Sequence, residues 1–372
     1  MKIGILHHDF LCPGGGERLA ISLAHALKLA GYDVLLGTVS KTDWVKLHSI
    51  FGYDNPFSEE VYLFRRPLAY FSIYKHLLTS PVVRKLRKKG CDIIINTHGD
   101  PIGEPCEVTY MHYPVRALLN QKYRGFYGMY FAGYKYLQGR KGFESRYLNR
   151  TRILTNSRFT QSEIMRVLGR QAEVVYPPAI PKGFVSSESR KEDVVLTVSR
   201  IALDKDLDIL EDFANASAGK AIVLAGTTDK TSPQVISKLH KVLVKPDLPY
   251  DALQDLYSRS KVYLHTKRYE HFGISVVEAM AHGCVPVVHR SGGPWMDILD
   301  EKQGVYGFSY ETVDEGIKYI EMLMQDDKLR EDISQRAKER ALTMFSEKSF
   351  QNKMVEILRS EAPLETIVKE AD

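Results

Sequence analysis

The sequence predicts an α/β chain built from two doubly wound domains. Three observations predict it. The chain has 372 residues, 44% of them hydrophobic and 26% charged, enough for two cores and too apolar for disorder. Apolar runs of strand length alternate with amphipathic stretches along most of its length. A stretch rich in proline, serine and charge, PPAIPKGFVSSESRKED at 177–193, divides that alternation into two series and reads as a hinge.

In the first series KIGILHH is a short apolar strand, CPGGG a turn, and Glu17 opens a helix with apolar residues at Leu19, Leu23, Ala26, Leu27 and Ala30, stopped by Gly31. DVLLGTVS is a second buried strand. CDIIINTH (91–98), VTYMHYP (108–114) and TRILTNS (151–157) read as further strands, a helix starts near Phe159, and EVVYPPA (173–179) closes the half. The second series runs VVLTVSR (194–200), a helix near 206–218, AIVLAG (221–226), a helix near 232–241, VYLHT (262–266), a helix near 275–283 and VPVVHR (285–290). Charged helices fill 311–360. Strand–helix alternation of this kind makes parallel sheets with helices on both faces. The domains are expected at 1–178 and 179–347, with 348–372 a final helix and tail. Ligands of such sheets bind beyond the carboxyl ends of the strands, so the site is expected in a cleft between the two domains.

The four cysteines are scattered and form no C-x-x-C, which favours reduced thiols over disulfides or metal ligands. The apolar run in MKIGILHHDF is too short for a signal peptide, and no run reaches the ~18 residues of a membrane span. The expectation is a cytoplasmic protein, peripheral on the cytosolic face of a membrane at most. The net charge of +5 hides a division: residues 1–176 carry 25 Lys and Arg against 14 Asp and Glu, and the rest carries 26 against 32. The first half is therefore expected to meet something anionic. Residues 116–152 hold nine basic residues, Arg116, Lys122, Arg124, Lys135, Arg140 and Lys141 among them, against one acid, with nine Tyr and Phe interleaved. Ordinary helix packing is the plain account. Docking on an anionic membrane is the favoured one, and nucleic-acid binding finds no motif.

Several short stretches can carry chemistry. PGGGER follows strand one and opens helix one, a place where backbone N–H groups attract phosphate, or simply a tight turn. It is neither a P-loop nor a dinucleotide fingerprint, since strand two ends in LLGTVS without an acid. In VSRIALDKDLDIL, Arg200 and Lys205 lie just past a strand end, where two cations can neutralise a diphosphate. The alternative is a solvated loop paired with Asp204, Asp206 and Asp208. Their spacing also suits a divalent cation, but Lys205 stands inside it and repels one. In RYEHFGISVVEAMAHG, Ser275 and Glu278 have capping-box spacing, which accounts for Glu278 but not for Glu270. Gly273 permits close backbone approach to a ligand. SGGP (291–294) is a second glycine turn after a strand end, and His112 in YMHYP follows a strand of the first half.

Together Glu270-x7-Glu278, the Arg200…Lys205 pair and PGGGE resemble glycosyltransferase family 4, retaining nucleotide-sugar enzymes of the GT-B fold. PGGGER, YMHYP, TNSRFTQSEI, VVYPP and EHFGISVVEAMAHGCVPVVHRSGGPWMDIL are most similar to its GDP-mannose-dependent α-1,2-mannosyltransferases of dolichol-linked oligosaccharide assembly, which carry an N-terminal membrane anchor. The resemblance implies a hexose, mannose first, moved from GDP-mannose to a lipid-linked or other saccharide. A UDP-sugar donor and a non-catalytic nucleotide-sugar-binding subunit are the alternatives. It implies that Glu278 binds the donor ribose, that Glu270 holds sugar hydroxyls beside the backbone of Phe272, Gly273 and Ile274, and that Arg200 and Lys205 grip the diphosphate with help from Gly15 and Gly16. His112 would sit beside the sugar and the acceptor hydroxyl. It implies no metal or other cofactor, and a final helix, 348–360, that crosses back to the first domain.

Overall fold

A computed structural model describes residues 1–11, 14–67, 75, 78–99, 104–119, 129, 132–133, 136, 150–185, 189–217 and 219–361. The chain divides into two compact units, Met1–Pro178 joined by the chain from Lys348 onward, and Ala179–Glu347. Each has its own sheet and core.

In the first unit the elements run β1 (Lys2–Leu6), α1 (Gly15–Leu29), β2 (Asp33–Ser40), α2 (Trp44–Phe51), β3 (Glu59–Phe64), α3 (Thr79–Lys88), β4 (Ile93–Asn96), β5 (Val108–Met111), α4 (Val115–Leu119), β6 (Arg152–Thr155), α5 (Arg158–Leu168) and β7 (Glu173–Val174). The sheet has the order β3-β2-β1-β4-β5-β6-β7, with every pairing parallel. The continuous apolar runs make sense there, because a central parallel strand is covered on both faces. Ile3, Ile5, Leu36 and Ile95 pack with Leu19, Leu23 and Leu27 of α1.

In the second unit β8 (Glu192–Val198) is followed by a 3₁₀ turn (Leu203–Lys205), α6 (Ile209–Ala216), β9 (Ala221–Gly226), α7 (Ser232–Ile236), β10 (Leu243–Pro246), α8 (Tyr250–Arg259), β11 (Ser260–His265), α9 (Ile274–Ala281), β12 (Val285–His289), a π turn (Pro294–Ile298), β13 (Phe308–Tyr310), α10 (Val313–Gln325) and α11 (Asp327–Met344). The order is β10-β9-β8-β11-β12-β13, again all parallel. The last helix, α12 (Glu347–Glu361), returns to the first unit. Its Phe350, Met354, Ile357 and Leu358 join that core, and Gln351 donates to Ser22 of α1 at 3.2 Å.

Both sheets are doubly wound and parallel, as the alternation predicts. Sequence reading did not separate β3, β10 and β13, nor α3 and α8; the charged helices it placed over 311–360 are three in number, α10, α11 and α12. The stretch 177–193 is less free than its composition suggests. Ala179 and Ile180 both donate N–H to Phe345 O (3.1 and 3.2 Å), and Glu347 N–H returns to Ile180 O at 2.8 Å. In each sheet the strand order reverses between two neighbours, β1 and β4 in one unit, β8 and β11 in the other. That reversal opens a crevice beyond the strand ends, and the residues singled out from sequence collect there.

Candidate functional site

In the second unit the crevice is made by the segments leaving β8 and β11. The 3₁₀ turn after β8 presents Lys205, whose Nζ lies 3.2 Å from Glu270 Oε2 in the loop after β11. Both side chains are about three-quarters shielded from solvent. Burial pushes the Glu270 carboxyl upward, but Lys205, His265 and His271 outweigh it and hold its pKa at about 2. His265, the last residue of β11, is buried, and among the described residues no hydrogen-bond partner reaches its Nδ1. Desolvation brings its pKa down to about 4 against the pull of Glu270.

The Glu270 loop is clamped by the SGGP turn that follows β12. Gly293 N–H donates to Glu270 O at 2.8 Å. A Cβ on Gly292 would stand 2.4 Å from Glu270 O, and one on Gly293 2.4 Å from His271 O. Only glycines let these two backbones meet. Gly273 (φ +101°) then turns the chain into α9 and serves as its N-cap, so Ile274 leads the helix with its first N–H groups at the crevice. Phe272 anchors the turn from below, edge-on to Phe345 at 5.4 Å. Glu278, one turn further on, accepts from Tyr257 Oη at 3.3 Å. Burial first, and then Glu278, keeps that phenol far above its ordinary pKa, so it stays the donor.

One expectation is corrected by this geometry. Ser275 is not an N-cap: that place belongs to Gly273, and the Ser275 Oγ lies 2.7 Å from Tyr263 Oη, so no capping box forms with Glu278. Asp204 and Asp206 of DKDLD are taken up by neighbouring cations and backbone, the alternative the sequence left open for this loop. Both oxygens of Asp204 accept from Arg200 Nη2 at 2.9 Å, while Asp206 takes Lys267 Nζ at 3.3 Å and Arg268 N–H at 3.1 Å. Arg200 is half exposed, and its guanidinium is turned to Asp204 rather than to Glu270.

In the first unit Gly14, Gly15 and Gly16 open α1 beyond the end of β1. The Glu17 carboxylate accepts from Gly14 N–H at 2.9 Å and fixes the turn. Burial pushes the Glu17 carboxyl upward, but His7, 3.5 Å away, more than reverses this. His112 follows β5, and its Nε2 lies 3.0 Å from Thr97 O. A Cβ on Gly16 would approach that nitrogen to 3.5 Å, so the glycine turn and His112 are neighbours. Desolvation lowers the His112 pKa and favours the neutral ring.

The residues predicted from sequence therefore fall into two groups, one in each unit. Lys205, Glu270, Phe272, Gly273, Ile274 and Glu278 gather round the start of α9, with Arg200 on the adjoining loop; Gly15, Gly16 and His112 gather at the end of β1. Of the basic set, Arg116 is exposed on α4. Lys122, Arg124, Lys135, Arg140 and Lys141 lie outside the described residues. Sequence reasoning passed over His7, Glu17, Thr97 and His265, and gave SGGP little weight. The available signal was position, a polar residue directly after a strand at a reversal of strand order.

Residues 182–340 match the family Glycosyl transferases group 1. Among curated proteins the chain is 26% identical over 235 residues to the Caenorhabditis elegans GDP-Man:Man(3)GlcNAc(2)-PP-Dol alpha-1,2-mannosyltransferase, covering 55% of this chain and 50% of that protein. The Homo sapiens enzyme of the same name is 26% identical over 230 residues, covering 54% and 46%. The chain thus spans about half the length of the curated relatives it matches. Among solved structures it resembles sucrose-phosphate synthase of Thermosynechococcus elongatus (TM-score 0.72, 17% identity, 97% of this chain and 98% of that one). It also resembles Anabaena HepE in complex with UDP (TM-score 0.69, 19% identity, 97% and 100%). At these identities the likeness concerns the fold, which is GT-B.

Proposed function

We propose that the chain is a retaining glycosyltransferase that moves a hexose, mannose from GDP-mannose, onto a lipid-linked or other saccharide acceptor. The observation that carries the reading is the Lys205–Glu270 pair, held at a strand-order reversal beneath the Gly292–Gly293 clamp and beside the start of α9. Breaking a glycosyl–phosphate bond leaves negative charge on the diphosphate and positive charge on the sugar. Lys205, the leading N–H groups of α9 and a reoriented Arg200 stabilise the first without any rearrangement at the moment of reaction. Glu270, ionised throughout the neutral range, accepts from sugar hydroxyls. Glu278 accepts from the ribose and is oriented by Tyr257.

Neutral His112 serves the acceptor half. Its Nε2 is engaged with Thr97 O, so it positions hydroxyls rather than acting as the base. A phosphate oxygen of the leaving group takes the acceptor proton, and the acceptor enters on the face the diphosphate leaves. This assignment asks for no metal. Mannose is supported by the two named relatives, and a lipid-linked acceptor by the same names. Membrane docking by the basic segment would bring such an acceptor within reach. Among the described residues no helix is long and apolar enough to cross a membrane.

A UDP-sugar donor is the second reading, favoured by the likeness to HepE, whose solved forms hold UDP and UDP-glucose. The test is a thermal-shift panel of GDP-mannose, UDP-glucose and UDP-N-acetylglucosamine, followed by nucleotide release from each stabilising donor. GDP-mannose is expected to raise the melting temperature most, because a ligand of the folded state alone stabilises it, and to release GDP. Stabilisation by UDP-glucose alone would move the assignment to the second reading. Stabilisation without any nucleotide release, with saccharide acceptors present, would leave a binding subunit.

A further inference from the structure

The end of β1 carries two consecutive histidines, His7 and His8, and the end of β4 carries His98. The strands pair in parallel with Leu6 opposite Asn96, so the residues that follow emerge side by side. The His8 and His98 rings lie 3.4 Å apart between centroids, and His7 meets His98 edge-on at 5.3 Å. One ring nitrogen from each of the three falls within 4.8 Å of the other two. The hydrogen bonds around His7 involve both of its ring nitrogens. His7 Nδ1 is 3.0 Å from Thr97 Oγ1, and that hydroxyl donates its own proton to Leu6 O at 3.2 Å. His7 Nδ1 therefore meets a hydroxyl that can accept from it, and His7 Nε2 faces Glu17 Oε1 at 3.5 Å. His8 Nε2 stands 3.6 Å from Asp9 Oδ2, an oxygen that also takes Lys75 Nζ. Ligating histidines give their second nitrogen to a hydroxyl, carbonyl or carboxylate in this way.

We propose that His7, His8 and His98 form a binding site for a divalent transition-metal ion of the zinc class. Three imidazoles suit zinc, nickel or copper far better than magnesium or calcium, which take oxygen ligands. Three protein nitrogens leave a fourth tetrahedral position for water or for Glu17. Such an ion ties the ends of β1 and β4 to the Gly14–Glu17 turn. The site owes nothing to the transferase reading and does not enter its chemistry.

The test is a titration of the purified, chelator-stripped chain with zinc chloride by calorimetry, with magnesium chloride as the control and cobalt(II) as a spectroscopic stand-in. One zinc equivalent is expected, with the visible bands of a four-coordinate cobalt site and no magnesium signal. His98→Gln removes a ligand and should weaken zinc binding at least tenfold. Thr97→Val keeps every ligand but takes away the partner of His7, and should weaken it about 10–100-fold. Circular dichroism checks that each variant folds. If His98→Gln does not fold, Thr97→Val decides. No saturable zinc binding, a magnesium affinity equal to that for zinc, or zinc binding unchanged in the folded variants overturns the proposal.

Discussion

Lys205 does two jobs at once, and they can be separated. Its ammonium keeps the Glu270 carboxylate ionised in a shielded place, and in the proposed reaction it meets the leaving diphosphate. Lys205→Ala is expected to lower kcat about 10²–10³-fold, the usual cost of deleting one preorganised charge-stabilising group. It leaves a shielded carboxylate without its partner, a loss between that of an exposed and a buried ion pair, about 1–3 kcal/mol. Glu270→Gln removes the charge instead, so it should cost activity with a smaller loss of stability. Steady-state kinetics beside urea denaturation of both variants check this; wild-type turnover in Lys205→Ala would take the residue out of the chemistry. Arg200 is the more demanding case, because it must leave Asp204 to reach a ligand. Asp204→Ala should therefore change the apparent donor affinity as well as surface charge, and isothermal titration with the donor nucleotide measures it.

At the scale of elements, the start of α9 depends on backbone contact that no side chain would permit. Gly292 has φ +69°, and its missing Cβ leaves room for Glu270 O at 2.4 Å. Gly292→Ala is expected to shift the Glu270 loop and abolish measurable turnover, with a stability loss well above the ~1–2 kcal/mol of left-handed strain. Gly52 is the control: it has the same φ of +69°, and a Cβ there would meet nothing within 4 Å, so Gly52→Ala should cost the strain alone. Equal losses in the two variants would mean that the clamp contributes nothing. This contact also shows where sequence reading stops. Periodicity exposed β1, β2, β4, β9 and β11, because buried parallel strands are apolar runs between turn residues. Edge strands such as β3 and β10, with Glu59, Glu60 and Lys245, carry no such run. Lys205 and Glu270 could be placed in one crevice because both follow strands. The clamp could not, since SGGP carries no sign of its partner 22 residues away. Nor could the pairing of Arg200 with Asp204, because the same loop sequence allows the cation to face either a neighbour or a ligand.

Across the molecule, burial favours neutral imidazoles in both units, and in the second it ties stability to pH. Desolvation lowers the pKa of both His265 and His282 in the second unit to about 4. His282 is locked between Ser258 Oγ (2.9 Å) and Gln254 Oε1 (2.8 Å) and stacks on Tyr257, so the folded state holds it neutral. An unfolded imidazole titrates near 6.5. Between about pH 6.5 and 4 the unfolded chain therefore binds protons that the folded unit refuses. Stability is full above 6.5 and falls as pH drops toward 4, by a few kcal/mol for the two together. Glu270 adds a second loss below that window, from about 4.5 toward 2, as its depressed carboxyl takes a proton. The chain has two tryptophans, Trp44 in α2 of the first unit and Trp295 in the second. In a Trp44→Phe background the emission of Trp295 alone follows the second unit. Its urea midpoint is expected to fall steadily from pH 7 to pH 4.5, and His282→Gln should flatten about half of that slope. An unchanged slope in His282→Gln would mean that this imidazole takes up its proton in the folded chain as readily as in the unfolded one.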